Sequence, residues 1–419
     1  MSDQVSVSRS QYADLSRDEL ATLVRELLLI GQLIDRSGMA WCISAFGREE
    51  MAQVAIEEWA CASPVYTQRM QRALGFVGDD VPTIFKGLQL DIGAPHQFLD
   101  FRFKIIDRWS GEFWLDHCGA LADVAPMGED YVRAMCHDIE DPTFDATAVA
   151  TNRRAQIRPI HRPPFDAPRD GRACHWTIVI DDSHPEAQDL PGLAAIRASV
   201  AAGLELAPID PADDGRPDYA GPVMSDFPAE AFSHSALVHV ADELCVQMQL
   251  LNLSFVQAVR ARATDDEQLT TILRKQLTGV AGVAATRIRA CLGLGSDAAA
   301  ALEVLRLLPM LGPTAYVDVA VEGTPEGDTL VVRRSPAHDD GGWLGLLGPH
   351  WSAALDAAVH AVDPRFSVEV TGDADAWTLR VVVGEARKVA DEVAVTQFST
   401  GVTWQFEPRH ALPLTVIGR

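Results

Sequence analysis

Residues 101–115, Phe101-Arg102-Phe103-Lys104-Ile105-Ile106-Asp107-Arg108-Trp109-Ser110-Gly111-Glu112-Phe113-Trp114-Leu115, decide the fold class. Phe101, Phe103 and Ile105 alternate with polar residues, Ser110-Gly111 is a turn signal, and Phe113, Trp114 and Leu115 follow it. Two such runs around a Ser-Gly turn read as a β-hairpin. On either side the period changes. Upstream, residues 18–35 set Leu20, Leu23, Val24, Leu27, Leu28, Ile30 and Leu33 mostly three or four apart, which makes one apolar helix face. Ser16 ahead of Asp18 and Glu19 supplies a start signal. Residues 47–59, 64–74 and 81–90 read as three more helices, the second stopped by Gly75. Downstream, 128–139 returns to helix and 176–180 is a strand.

The same order returns in the second half. Residues 237–262, 267–276, 280–292 and 299–308 read as helices. A hairpin pattern, 316–322 and 329–334, surrounds Pro325-Glu326-Gly327; a helix at 351–362 and strands at 366–370 and 377–383 follow. Arg69-Met70-Gln71-Arg72-Ala73-Leu74-Gly75 matches Arg287-Ile288-Arg289-Ala290-Cys291-Leu292-Gly293, and Trp176-Thr177-Ile178 matches Trp377-Thr378-Leu379. The expectation is an α+β fold of two similar halves, a tandem duplication, each half a helical layer packed on a small antiparallel sheet. Residues 1–185 form a site-bearing domain, 186–230 a linker and 231–419 a degenerate second copy. Five prolines within residues 207–228 mark the linker.

Length and composition narrow the function. A chain of 419 residues has room for two or three domains. With 47% hydrophobic and 22% charged residues it is a folding composition rather than a disordered one. Lys and Arg total 35 against 59 Asp and Glu, a net charge of −24, so nucleic acid and an anionic membrane face are disfavoured partners. The apolar run Leu27-Leu28-Leu29-Ile30 is flanked by Arg25, Glu26, Asp35 and Arg36, too short and too charged to span a bilayer. The first twelve residues lack a basic start followed by an apolar stretch. A cytoplasmic location is expected, and seven cysteines in a reducing compartment argue against disulfides.

Chemistry concentrates in residues 116–176, which hold three of the seven cysteines and four of the twelve histidines. Each Cys has a His neighbour: Asp116-His117-Cys118, Cys136-His137-Asp138 and Cys174-His175-Trp176. Thiolate and imidazole ligate zinc and iron–sulfur clusters. The spacing of Cys118, Cys136, His161 and Cys174 is not that of a zinc finger, but suits a site assembled by the fold. These four are the candidate metal ligands, and the same groups without metal would offer a catalytic thiol or imidazole. Cys42, Cys61, Cys245 and Cys291 lie in apolar helix patterns and read as core. The acidic run from Asp138 through Glu140 and Asp141 to Asp145 follows, with Pro142 as the expected helix stop. Then come Arg153, Arg154, Arg158 and Arg162 before Pro163-Pro164. Arg158 and Arg162 either clamp a substrate carboxylate or pair internally with Asp138 and Asp141. The second half keeps the apolar pattern but lacks this Cys/His set. Phosphate-binding glycine loops, His-Glu-x-x-His and Gly-x-Ser-x-Gly are all missing from the sequence.

The segment from Trp41 to Phe46-Gly47, Trp59, the basic helix ending at Gly75, the hairpin ending in Cys118, the helix bearing Cys136, and the Pro163-Pro164 loop before Cys174-His175-Trp176 resemble the L-2-amino-thiazoline-4-carboxylic acid hydrolase-like group of prokaryotic proteins. The resemblance covers roughly residues 18–182. The wider layout resembles ligand-binding domains of the vinyl-reductase and nitric-oxide-sensor type. In the hydrolase-like group a Cys commonly stands shortly before the Pro-Pro; here His161 takes that place. The resemblance implies hydrolysis of a C–N bond in a small amino-acid-like heterocycle, by water attack on a C=N carbon. Under it, His137 or Asp138 is the general base, His175 or His117 the proton donor, and Arg158 or Arg162 the carboxylate clamp. The expected protein is a zinc-containing enzyme acting on a small polar molecule, its oligomer open up to a homodimer. The competing expectations are a small-ligand sensor with a structural zinc, and a haem or iron–sulfur protein.

Overall fold

The computed structural model of the chain describes residues 9–165, 171–325 and 327–398. Ser16 opens α1 (Arg17–Phe46) through a capping box: its hydroxyl accepts from Glu19 N–H, and the Glu19 carboxylate accepts from Ser16 N–H. Next come α2 (Arg48–Ala73) and α3 (Val81–Gln89), the latter capped by Asp80. The hairpin expected from residues 101–115 is β1 (Leu99–Ile105) and β2 (Ser110–Cys118), with Phe103 opposite Phe113. Three short helices follow, α4 (Gly119–Val124), α5 (Glu129–Arg133) and α6 (Glu140–Val149), with a π-helical turn at Ala134–Ile139 between the last two. β3 (Ala155–His161) and β4 (Cys174–Ile180) complete an antiparallel sheet of order β1-β2-β4-β3.

After the joining segment, which holds α7 (Leu193–Arg197), the pattern repeats. The second half has α8 (His234–Arg260), α9 (Asp266–Cys291), α10 (Ala298–Leu307), β5 (Asp318–Thr324), β6 (Gly327–Arg333), α11 (Ala337–Asp340), α12 (Ala353–His360), β7 (Phe366–Gly372), β8 (Trp377–Val383) and α13 (Asp391–Phe398). Its sheet order, β5-β6-β8-β7, reproduces the first. The expected α+β fold of two similar halves is the observed one. The matched sequence pairs fall at equivalent places. Gly75 and Gly293 end α2 and α9 in the left-handed region (φ 63° and 61°). Phe76 N–H closes onto Gln71 C=O at 3.0 Å, as Leu294 N–H closes onto Arg289 C=O at 3.0 Å. Trp176 and Trp377 are buried at corresponding positions of β4 and β8.

Three local readings change. Residues 47–59 and 64–74 belong to one helix with Pro64 inside it, and 267–276 and 280–292 likewise join across Thr278-Gly279. Each helix buries a long apolar face against the other half, and that packing outweighs the local breaker. Residues 155–161, to which the sequence pattern assigns no element, form edge strand β3; an edge position tolerates Pro159. Pro142 does not stop the helix. The π turn, where Glu140 N–H reaches back to Met135 C=O, restarts the bonding register, so Pro142 sits in a first turn, where a missing N–H costs little. The turn residue Glu326 lies outside the described residues, as do residues 1–8 of the amino-terminal reading.

The halves share their core. α1 packs on α8 and α9, and α2 on α8. Gly38 permits one close approach: a Cβ there would lie 2.8 Å from the Phe255 ring. Both apolar cores draw residues from both halves. Across the seam, Arg69 grips Glu243 with two bonds, at 3.0 and 2.7 Å, and donates to the Ala202 and Leu204 carbonyls. The proline-rich joining segment is packed as well. Tyr219 N–H bonds Leu74 C=O, the Lys86 ammonium donates to the Tyr219 and Gly221 carbonyls, and Phe227 and Phe232 are buried. Among the described residues, no helix is long and apolar enough to cross a membrane.

Candidate functional site

Strand alternation sorts the cluster of residues 116–176 onto two faces of the first sheet. Cys174, Trp176 and Ile178 of β4 point into the core, and Cys118 is buried where β2 passes into α4. Cys136 comes down from the π turn, 2% exposed. The three thiols and the Glu140 carboxyl lie within electrostatic reach of one another. Burial, with Glu140 adding to it, pushes Cys118 up to about 12 and holds Cys136 and Cys174 far above the ordinary thiol range. In these surroundings the thiols favour the neutral form.

The histidines lie elsewhere. His161 stands opposite His175 in the β3–β4 register, the two rings 5.7 Å apart, on the face turned away from Cys174. There His175 Nε2 meets Glu112 at 3.2 Å, its Nδ1 meets Arg172 at 3.3 Å, and its ring lies edge-on to Trp114. His117 is exposed at the end of β2. His137 Nε2 bonds the Pro163 carbonyl at 2.8 Å, and Asp138 is exposed. Arg162 pairs with Asp141 and covers the Trp176 ring; Arg158 pairs with Asp145 at 2.9 Å rather than with Asp138. Both arginines are thus internal ion-pair partners. The expected set Cys118, Cys136, His161 and Cys174 is divided: the cysteines gather around Glu140 and the histidine does not join them. Among the described residues, no three or more His, Cys, Asp or Glu side chains are arranged to hold a metal ion.

Glu140 also faces a cavity of about 70 Å³ between α1, α2 and α6 whose lining mixes apolar and polar side chains. Glu140 lines it, and its Oε2 is buried without a hydrogen-bond partner. Burial pushes the Glu140 carboxyl up to about 8, with Asp141 adding to the shift while Arg162 and Arg36 oppose it. Arg36 reaches in from α1. Its Nη2 pairs with Asp35 at 2.9 Å, and its buried Nε is unpartnered. Opposite stands Asp91, held by Tyr66 Oη–H at 2.7 Å, Gly93 N–H at 2.7 Å and Thr147 Oγ–H at 3.1 Å, with Ser63 donating more weakly at 3.5 Å. Burial raises Asp91 despite these bonds. A second, mainly apolar cavity of about 150 Å³ lies beside the first, and Arg36, Met135 and Ile139 line both.

Sequence reasoning passed over Glu140, Asp91 and Arg36. Glu140 was hidden in an acidic run, and Arg36 served only to exclude a membrane span. The available signal was a charge on an otherwise apolar helix face, since Leu33 and Ile34 beside Arg36 are buried. With α2 and α9 aligned on Gly75 and Gly293, the second half has Leu277, Ala281 and Ala284 where the first has Trp59, Ser63 and Tyr66. No known family, curated protein or solved structure matches the chain.

Proposed function

We propose that the chain is a small-molecule hydrolase that works by acid–base catalysis at Glu140 on a carboxylate-bearing amino-acid-like heterocycle. One observation carries this reading: a carboxyl whose pKa burial pushes up to about 8, with one oxygen unpartnered, lines a cavity beside Arg36, whose buried Nε has no hydrogen-bond partner. Perturbed carboxyls in cavities are the ordinary equipment of general acids. The π turn supports it too, because such turns aim side chains at functional sites.

At neutral pH Glu140 donates its proton to the ring nitrogen of a C=N bond. Water adds to the carbon made electrophilic, and its proton passes to the Glu140 carboxylate, restoring the acid. In the collapse Glu140 gives its proton to the nitrogen and takes the adduct's hydroxyl proton, so that C=O forms, the C–N bond breaks and the nitrogen leaves as an amine. Arg36 Nε holds the substrate carboxylate. Asp91, fixed by Tyr66, Ser63 and Thr147, accepts from a substrate N–H. The three neutral thiols act through Glu140, keeping its surroundings poorly solvating.

The test is turnover of L-2-amino-thiazoline-4-carboxylate and related heterocycles by wild type, Glu140→Gln and Arg36→Gln. The expected result is activity that declines above pH 8 in wild type, is lost in Glu140→Gln with binding retained, and shows a raised KM in Arg36→Gln. Binding without turnover in wild type would make the cavity a ligand-sensing site instead. Full activity in Glu140→Gln would sink the assignment.

A further inference from the structure

The second half carries a cleft of its own. It measures about 420 Å³ and lies between α9, α12 and the segment leading into α13. Arg274 and Lys275 of α9 face it from one side, and Arg387 and Lys388 from the other. Among the described residues, the two carboxylates on its walls, Asp356 and Glu392, do not balance four permanent cations. This happens in a chain of net charge −24 with only four lysines, two of which are here. Like charges brought together raise the free energy of the empty cleft, and an anion relieves it.

The walls are built rather than merely charged. The Arg274 guanidinium lies 5.1 Å from the centre of the Trp351 ring, which holds it in place, and its Nε is buried without a hydrogen-bond partner. Lys275 rests on Trp41 at 4.3 Å. Arg387 is oriented by Asp356 at 3.4 Å and the Phe366 carbonyl at 3.2 Å. His360 adds no charge, since burial and then Arg387 press its pKa below the usual imidazole value. We infer that this cleft is an anion site for a small phosphorylated molecule, with Arg274 as the fork and Lys275 and Lys388 as point charges on the phosphate oxygens. Planar forks and ammonium groups together are the chemistry of phosphate capture.

Calorimetric titration of the full chain with inorganic pyrophosphate and with citrate tests it. Pyrophosphate should bind with a Kd below about 1 mM at low salt. Binding should weaken on adding sodium chloride. The double variant Lys275→Gln/Lys388→Gln should weaken it at least about tenfold while the chain still unfolds cooperatively. Arg36→Gln, in the other half, should leave it unchanged, which separates this site from the proposed hydrolase cavity. No binding of pyrophosphate at about ten times that concentration, or equal binding by the double variant, overturns the inference. Citrate binding as tightly as pyrophosphate would overturn the phosphate assignment.

Discussion

Replacing Glu140 by Gln keeps the side chain's shape and removes its titration. In the fold its carboxyl is pushed up to about 8, against an ordinary value of 4.5. The shift corresponds to roughly 5 kcal/mol at about 1.4 kcal/mol per unit. The sign follows from the raised value: between pH 4.5 and 8 the folded chain keeps a proton that the unfolded chain has released. Wild-type stability therefore falls as pH rises through this window and levels off above it. Glu140→Gln lacks the loss. Urea unfolding of both proteins from pH 4 to 9, read by tryptophan fluorescence, gives the difference curve. It should be near zero at the acid end, climb by about 1.4 kcal/mol per pH unit in favour of the variant, and flatten above pH 8 at several kcal/mol. Other buried carboxyls such as Asp91 and Asp242 are common to both proteins and cancel. Parallel stability curves would show that Glu140 ionises normally, and the acid–base reading would fall with it.

Arg69→Met should lower stability by about 3–5 kcal/mol, because it leaves Glu243 buried and unpaired across the seam; a change under about 1 kcal/mol in denaturant unfolding would refute that role. Gly75→Ala and Gly293→Ala should each cost about 1–2 kcal/mol and by similar amounts, since both demand the same left-handed cap; thermal melts that separate the two would break the equivalence of α2 and α9. Elemental analysis of wild type and Cys136→Ala should return equal zinc; one equivalent lost with the thiol would restore a metal centre.

The duplicated architecture was legible because it rests on periodicity. The hairpin at 101–115, the glycine stops at 75 and 293, and the strands opened by Trp176 and Trp377 each announce themselves locally. The helix joins at Pro64 and Thr278-Gly279 were not legible, since a helix breaker is overruled there by packing against residues some two hundred positions away. β3 escaped because its arginines and Pro159 look like loop chemistry until its edge position is known. The site was half legible. The cysteines do gather, but the one-residue alternation of a strand sends His117 and His175 to the opposite face from Cys118 and Cys174, which composition cannot reveal. Glu140 and Arg36 become conspicuous only once burial is known, because a charge in water and a charge in a cavity are written with the same letter.

The crossing of α1 onto α9 and of α2 onto α8 has a consequence for the cavity. The wall that carries Arg36, Trp59 and Ser63 is backed by helices of the carboxyl-terminal half instead of by solvent. That half serves as the mould against which α1 and α2 set, whatever it binds itself. An amino-terminal fragment cut free at the joining segment would keep every reactive group and lose the rigidity that aims them.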